Sequence, residues 1–315
     1  MFQLYKSRDF SLFFKDTFAF IKMHGKHFFK NYLIVNGLFL AILIAMNYIA
    51  FSSIAEMDAQ GLLDEANQRA LLEYIKRNSD AFITYGILYL IVSIIFGVLA
   101  FAYVPFYFKL YEKHKGPNFS SKEVVKELMD NIGKLFKFIL VTILISIPLL
   151  IAFSIVVFIM AITIIGFPFI IFIIALLSLF FHSSLMEYLK TEDKGVFDCY
   201  GYSIQLCFDR FFHSIGAVGI FMLIIIIFQY VISFIQGTIL YFLGVSVLDS
   251  PTYLSDLNKT SIIFIVAFLL QIIVSLINYL NSAILQIHEA IVYYGLKEDR
   301  ENIHTQDTID TIGRN

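Results

Sequence analysis

The sequence contains no tryptophan, and charged residues fill only 15% of its 315 positions. Hydrophobic residues make up 59% of the chain, and phenylalanine alone occurs 35 times. A soluble domain of this length does not need so much apolar surface, whereas a protein that crosses a membrane several times does. Without tryptophan, the 18 tyrosines are the side chains available to anchor helices at the membrane surface.

Cysteine and the common catalytic motifs are equally scarce. The two cysteines, Cys199 and Cys207, are eight residues apart, about 12 Å of rise on a helix and too far for a disulfide bond. The sequence has no phosphate-binding loop, no glycine-rich dinucleotide turn, and no HExxH or CxxC motif. The beginning of the chain lacks the compact apolar core of a cleavable signal peptide. We therefore expect no cofactor, no metal site, no catalytic residue and no nucleic-acid partner.

Long runs without Asp, Glu, Lys or Arg predict six transmembrane helices. The predicted spans are 32–53, 82–108, 138–160, 163–186, 213–240 and 262–294. The run from Phe138 to Met186 has 49 residues, too many for one crossing, and Gly166-Phe167-Pro168 predicts a break within it. The predicted fold is an all-α polytopic bundle of three hairpins, each preceded by a cytoplasmic amphipathic helix.

One transmembrane domain is expected over 1–296, followed by a flexible polar tail over 298–315. The acidic loop 54–81 has apolar residues at helical spacing, so we expect an external helix that either caps the bundle or docks a partner. Outside the predicted spans, nineteen Lys and Arg residues lie on one side of the membrane and four on the other. This asymmetry predicts that both termini are cytoplasmic, in an inner or plasma membrane.

A weak threefold repeat divides the chain at about 1–113, 114–194 and 195–297. In each copy a basic and aromatic segment leads into an odd-numbered span. Each even-numbered span leaves through a Tyr and Lys signature, and these exit signatures are 110–113, 187–190 and 294–297. Basic residues on the leading helices are expected to lie among lipid headgroups while aromatic side chains reach the acyl layer. The predicted headgroup contacts are Lys26, His27, Lys134, Lys137 and Arg210.

Two of the leading segments share a Gly-Lys-x-Phe-like pattern, at Gly25-Lys26 and Gly133-Lys134. With its three hairpins, the chain resembles the membrane-domain superfamily attached to some bacterial glycerophosphodiester phosphodiesterases, and similar stand-alone inner-membrane proteins. The resemblance covers nearly the whole chain and implies a membrane-embedded accessory role. It does not imply the enzymatic activity, because the soluble phosphodiesterase barrel is absent from this sequence.

Polar residues also recur inside the predicted spans. In the last span Gln271, Asn278, Ser282 and Glu289 lie within roughly 40° of one line along the helix. A spanning helix does not turn such a stripe toward lipid, so we expect the stripe to face other helices or a water-filled cavity.

The fifth span carries a matching polar face that includes Gln229 and Gln236. An antiparallel pairing of the last two spans would bring these side chains near Gln271 and Asn278. Hydrogen bonds of this kind between membrane helices contribute about 0.6–2 kcal/mol each. We expect helix packing to be their role, with a substrate path as the alternative.

Alignment of the three exit signatures on their lysines places Pro105, His182 and Glu289 at the same depth. With Gln286 and His288 beside Glu289, these residues predict a polar cluster toward the cytoplasmic end of the bundle. Such a cluster hydrogen-bonds helices together, relays protons or ligates a metal. Because His288 and Glu289 are adjacent, their side chains point about 100° apart, so only one is expected to face the bundle axis.

Three functions follow from these patterns. The first is a non-enzymatic accessory protein that binds membrane lipids or organises a partner, either another membrane protein or a second copy of the chain. The second is a small-molecule or proton-coupled transporter that uses the polar stripe of the last span. The third is a membrane enzyme with His182, His288 and Glu289 at a site near the cytoplasmic face.

Overall fold

The computed structural model describes residues 2–163, 166, 169–243 and 262–304. All regular structure in these ranges is helical, which confirms the predicted all-α fold. Six of the helices, α1, α3, α5, α6, α8 and α9, are long and apolar enough to cross a membrane, as expected of a multi-pass membrane protein. The helices are α1 (Phe10–Ala59), α2 (Gln68–Arg77), α3 (Ser79–Lys113), α4 (Ser121–Asp130), α5 (Ile132–Ile162), α6 (Ile170–Lys190), α7 (Val196–Asp209), α8 (Phe211–Phe242) and α9 (Ile262–Glu301).

The first predicted span differs most from its prediction, because no separate helix precedes it. Instead, α1 is continuous over 50 residues, about 75 Å of helix rise. The segment contains no proline, and its glycines, Gly25 and Gly37, continue the helix rather than end it. In contrast, the short helices α4 and α7 precede α5 and α8, as the repeat predicts. Whether these helices lie at a membrane surface, and whether the three copies are related, stay predictions.

The external loop also differs from its prediction. Its first residues belong to α1, which extends to Ala59, and α2 begins only at Gln68. No residue of α2 is buried, and Leu72 on this helix is 67% exposed. The helix therefore does not bury an apolar face, as a cap on the bundle would.

The predicted break and the predicted tail fall partly outside the described residues. Helix α5 ends at Ile162 and α6 begins at Ile170, so two helices do divide the long apolar run. Phe167 and Pro168, to which the break was assigned, lie outside the described ranges. At the other end, α9 continues through Glu301, so residues 298–301 are helical; residues 305–315 also lie outside the described ranges.

The chain forms two compact units. Unit 1 comprises Met1–Val35, Ala100–Ile225 and Ser282–Asn315, and unit 2 comprises Asn36–Leu99 and Ile226–Asn281. Unit 2 has a small apolar core in which Phe51, Leu240 and Ile263 pack against the buried residues Ala55 and Phe264.

Aromatic rings fill much of the core of unit 1. The ring of Phe28 lies 4.8 Å from that of Tyr107 and 5.2 Å from that of Tyr103, both edge to face. The Tyr103 hydroxyl donates to the Phe28 carbonyl at 2.7 Å, and the Tyr107 hydroxyl lies 2.9 Å from His27 Nδ1. Buried tyrosines thus combine a large apolar ring with a satisfied hydroxyl, and this packing fixes α1 against α3.

Candidate functional site

The three exit signatures meet in one network of ion pairs within unit 1. Glu112 lies at the end of α3, Glu187 and Lys190 at the end of α6, and Lys297 near the end of α9. Lys190 Nζ is 2.5 Å from Glu112 Oε2, and Lys297 Nζ is 2.6 Å from Glu187 Oε2. The charged side chains therefore link α3 to α6, and α6 to α9.

Two adjacent tyrosines of α9 extend this network. The Tyr293 hydroxyl donates to Glu187 Oε2 at 2.7 Å, and the Tyr294 hydroxyl donates to Glu112 Oε2 at 2.9 Å. Because neighbouring side chains on a helix point about 100° apart, the two tyrosines reach different carboxylates. Both rings are fully buried; the Tyr293 hydroxyl bonds Glu187 away from solvent, whereas the bond of Tyr294 to Glu112 is partly exposed.

Burial explains why the Glu187 carboxylate collects several donors. Glu187 is only 1% exposed, and a buried carboxylate is costly unless it is paired and hydrogen-bonded. Besides Lys297 and Tyr293, it accepts from Lys194 Nζ at 3.1 Å. Burial disfavours the charge of Lys194, but the Glu187 carboxylate outweighs this and raises the pKa of that lysine. The charged groups of the network are paired with one another, so the network holds the helix ends together.

The segment before α1 closes over the same network through Tyr5. The Tyr5 hydroxyl donates to Glu112 Oε1 at 2.9 Å and accepts from Lys190 Nζ at 3.0 Å. Its ring lies 5.0 Å from that of Tyr294. Burial and the charge of Glu112 raise the pKa of Tyr5, so the hydroxyl remains a neutral donor at physiological pH.

Arg8 holds this segment in its folded shape. Its guanidinium is buried and donates to the carbonyls of Leu4 and Gln3, each at 2.7 Å, and to Asp16 Oδ2 at 2.8 Å. A planar guanidinium with five N–H donors suits several acceptors at once. Arg8 therefore joins the segment to itself and to the first turns of α1.

A cavity of about 470 Å³ lies beside the N-terminal segment. Its walls include the aromatic rings of Tyr5 and Tyr111 together with Glu112, Lys115 and His304. Because side chains of both charge types line it, the cavity favours no single class of charged ligand.

The sequence analysis identified the exit signatures but not these ion pairs. Each signature has a Tyr and a Lys within one helical turn, and the first two also have a Glu. These residue types were the only indication in the sequence that the helix ends could form ion pairs. Which lysine meets which carboxylate depends on the rotation and depth of three helices, which spacing along one chain does not determine.

A second polar site lies where α6 and α9 meet. Glu289 Oε2 is 3.5 Å from His182 Nδ1, and Glu289 accepts a hydrogen bond from the Ser178 hydroxyl at 2.5 Å. Both members of the Glu289–His182 pair are fully buried. Burial, and then the charge of Glu289, raise the pKa of the Cys207 thiol on α7 to about 12. The predicted equal depth of His182 and Glu289 is thus found as a contact.

His288 points away from this pair. Its Nδ1 lies 2.8 Å from Thr17 Oγ1 on α1, and its ring stacks on Phe221 of α8 at 4.2 Å. Adjacent positions on α9 therefore face different helices, as the 100° rotation predicts. The three-residue site of His182, His288 and Glu289 is not formed. Throughout the described ranges, no group of three or more His, Cys, Asp or Glu side chains is placed to hold a metal ion.

Gln286 lies one turn before Glu289 and is also buried. Among the described residues its Oε1 has no hydrogen-bond partner, and neither ring nitrogen of His182 makes a hydrogen bond, although Nδ1 lies 3.5 Å from Glu289 Oε2. An intramembrane polar group left without a full set of partners is a common mark of a functional site.

The predicted pairing of the last two spans is found in unit 2 for one residue pair. Gln236 Nε2 donates to Gln271 Oε1 at 3.0 Å. Gln229 is half-buried, while Asn278 is exposed, as is Ser282 further along α9 in unit 1. Most of the polar stripe is therefore not covered by the described part of the chain.

The predicted headgroup residues fall into two groups. Lys26 and Lys137 are exposed, Lys134 is half-buried, and none of them has an ion-pair partner among the described residues. Arg210 instead pairs with Asp299 at 2.7 Å. His27 is used inside the protein, since both of its ring nitrogens lie within 2.9 Å of acceptor or donor atoms of unit 1.

Comparison with protein-family models, with curated proteins and with solved structures finds no match for this chain. The resemblance to the phosphodiesterase membrane domains therefore stays a prediction, and function has to be inferred from the chain's own side chains.

Proposed function

We propose that this protein is a non-catalytic integral membrane protein that binds anionic phospholipid and so acts as an accessory component of an inner or plasma membrane. The main support for this proposal is the start of α5, where Phe136 is 62% exposed between Lys134 and Lys137. An exposed aromatic ring beside cations is the arrangement by which helices bind the boundary between headgroups and acyl chains. These lysines have no ion-pair partner among the described residues, so their charge is available to a headgroup.

Similar surfaces occur at two other helices. On α1, exposed Lys26 follows the exposed apolar side chain of Met23, and α8 begins with the exposed ring of Phe212. Arg210 contributes less at this third position, because Asp299 already neutralises it. The three surfaces support a lipid-facing role for the first turns of α5 and α8 and for the part of α1 around Lys26.

The proposed orientation places these surfaces and both termini on the cytoplasmic side. Its support is the count of nineteen Lys and Arg residues against four. Cytoplasmic leaflets carry anionic lipid, and each nearby Lys or Arg contributes about 1 kcal/mol to binding there. Orientation and lipid class are therefore consistent with one another.

The test is native mass spectrometry of the full chain released from nanodiscs that contain equal amounts of phosphatidylglycerol and phosphatidylcholine. The variant changes Lys26, Lys134 and Lys137 to Gln, and we expect phosphatidylglycerol retention to fall on the order of tenfold or more. The matched control changes Arg69, Lys76 and Arg77 to Gln, which removes three cations from the opposite side. Equal retention in the two variants, or no retained phosphatidylglycerol in the unmodified protein, contradicts the proposal.

A second candidate function is proton-coupled transport, and the buried Glu289–His182 pair favours it. An acidic residue and a histidine in contact inside a membrane helix bundle are typical of proton relays. We expect Glu289→Gln to abolish proton flux into liposomes, followed with an internal pH-sensitive dye, and Glu298→Gln, the same change outside the polar stripe of this helix, to preserve it. Absence of flux in the unmodified protein, or its persistence in Glu289→Gln, eliminates this candidate.

A further inference from the structure

An apolar groove of about 410 Å³ lies between α5, α6 and α7 in unit 1. Leu149 of α5, Leu176 and Phe180 of α6, and Ile204 and Phe208 of α7 contribute to its walls. The volume falls in the range of roughly 300–1,000 Å³ that is typical of small-molecule sites. The groove therefore has room for one extended apolar ligand.

The lining of this groove offers no polar group to a ligand. Tyr200 contributes its ring, while its hydroxyl is already hydrogen-bonded to Thr142 at 2.6 Å. Gly201 lies on the α7 wall, and a Cβ at this position would meet no atom within 4 Å. Space is thus open at a point where most other residues would place a side chain.

Two cations precede the groove on α5. Lys134 lies eleven residues before Ile145, a wall residue, so the two share nearly the same helix face about 16 Å apart. Lys137 lies one turn further along the helix, and neither lysine has an ion-pair partner among the described residues. Asp198, in the first turn of α7, is occupied as a cap because it accepts from the Gly195 backbone N–H at 2.9 Å.

We infer that the groove holds one acyl chain of an anionic phospholipid whose headgroup lies at Lys134 and Lys137. The inference rests on the proposed lipid-binding function and assigns it a site. Helices α5 and α6 are candidate membrane spans, and the apolar medium around such helices consists of lipid tails. A tail along the groove and a phosphate at the lysines match the order in which the apolar and basic residues occur along α5.

The first test blocks the groove with Gly201→Leu. Because nothing lies within 4 Å of the added Cβ, the leucine side chain starts in open space at the groove wall, and glycine to leucine favours a helix. Gly97→Leu on α3 is the matched control, since Gly97 is also helical, exposed and free of contacts. After nanodisc release, we expect the unmodified protein and Gly97→Leu to retain one phosphatidylglycerol. In Gly201→Leu we expect the fraction of protein that retains it to be lower by on the order of tenfold.

The outcomes separate this site from the general function. Without retained phosphatidylglycerol in the unmodified protein, the proposed function itself fails. If the unmodified protein and Gly201→Leu retain it equally, lipid binding stands and the groove assignment is wrong. We expect Lys134→Gln with Lys137→Gln to remove the preference for phosphatidylglycerol over phosphatidylcholine, and an unchanged preference overturns the headgroup assignment.

A photoreactive phosphatidylglycerol with a diazirine in its acyl chain provides a test that needs no variant. In the unmodified protein we expect peptide mapping to place the label on 145–149, 176–180 or 200–208. Labelling spread evenly over all the spanning helices would mean that the groove contains bulk lipid only, and it would overturn the inference. This measurement decides the matter even where Gly201→Leu does not fold.

Discussion

The two compact units satisfy their polar side chains in different ways. In unit 1, the carboxylates of Glu112 and Glu187 collect lysine and tyrosine donors from three helix ends. In unit 2, the described polar contacts between helices are neutral, such as Gln236 to Gln271 at 3.0 Å and the Tyr85 hydroxyl to the Met46 carbonyl at 2.7 Å. Apolar length identifies the spans of both units alike, but we expect the buried ion pairs of unit 1 to restrict the packing of its helices more than the neutral hydrogen bonds of unit 2 do.

The largest expected effect is that of Glu187→Gln. The change keeps the shape of the side chain but leaves the buried Lys297 with only the more distant Glu301 carboxylate, at 3.8 Å, and we expect it to destabilise the protein by up to about 3–5 kcal/mol. Denaturant titration of the purified protein in detergent measures it. Adding Lys297→Met should recover part of the loss, because it removes the buried charge that has lost its nearer partner. If Glu187→Gln alone is as stable as the unmodified protein, the proposed difference between the two units is wrong.

Arg8→Ala comes next. The variant deletes hydrogen bonds to three carbonyls and to Asp16, and bonds of this charged type contribute about 1.5–3 kcal/mol each. We expect the loss to appear chiefly as faster amide hydrogen exchange over residues 2–9. Lys6→Ala is the control, since Lys6 is partly exposed and contacts Asp16 at 3.2 Å. Equal exchange in both variants would show that Arg8 does not hold the segment.

Unit 2 should respond much more weakly. A double-mutant cycle with Gln236→Ala and Gln271→Ala should give a coupling free energy of about 0.6 kcal/mol, the average for neutral hydrogen bonds between membrane helices. The same denaturant titration supplies all four stabilities. A coupling free energy as large as the loss of stability expected for Glu187→Gln would mean that neutral pairs hold unit 2 as firmly as ion pairs hold unit 1.

The smallest expected effect is that of Lys194→Gln, which compares an exposed lysine with a buried one at the same carboxylate, Glu187. Lys194 contacts the same carboxylate as Lys297 but is 44% exposed, so its contribution should be below about 1 kcal/mol. Because folding raises the pKa of Lys194, its contribution is complete below the ordinary lysine pKa and disappears as pH rises through the folded value. Lys194→Gln should therefore lower stability slightly at pH 8 and leave it unchanged at strongly alkaline pH. A larger loss at alkaline pH than at pH 8 would contradict this sign.

Much of the fold followed from charge-poor runs, because a helix that spans a bilayer must avoid charge over about 20 residues. The contact of His182 with Glu289 followed from equal depth, and the divergence of His288 followed from helix rotation. The first prediction used the repeated exit signatures to align two helices, and the second used the 100° rotation within one helix, so both needed only the sequence.

Two features could not be predicted in this way. The extent of α1 was missed because the span was defined by absence of charge, whereas a helix ends only where its backbone is interrupted. The ion pairs of Glu112 and Glu187 were missed because they join residues 78 and 110 positions apart on separate helices. Which charges come within reach depends on how α3, α6 and α9 pack together.

The position of Tyr5 has a consequence for how the chain is assembled during synthesis. Its partners Glu112, Lys190 and Tyr294 follow it by 107, 185 and 289 positions. The segment before α1 therefore leaves the ribosome long before α9 has been translated, and its docking place is incomplete until then. Docking of this segment is a late step in biogenesis, and an epitope exposed on residues 2–9 would report how much of the protein has finished folding.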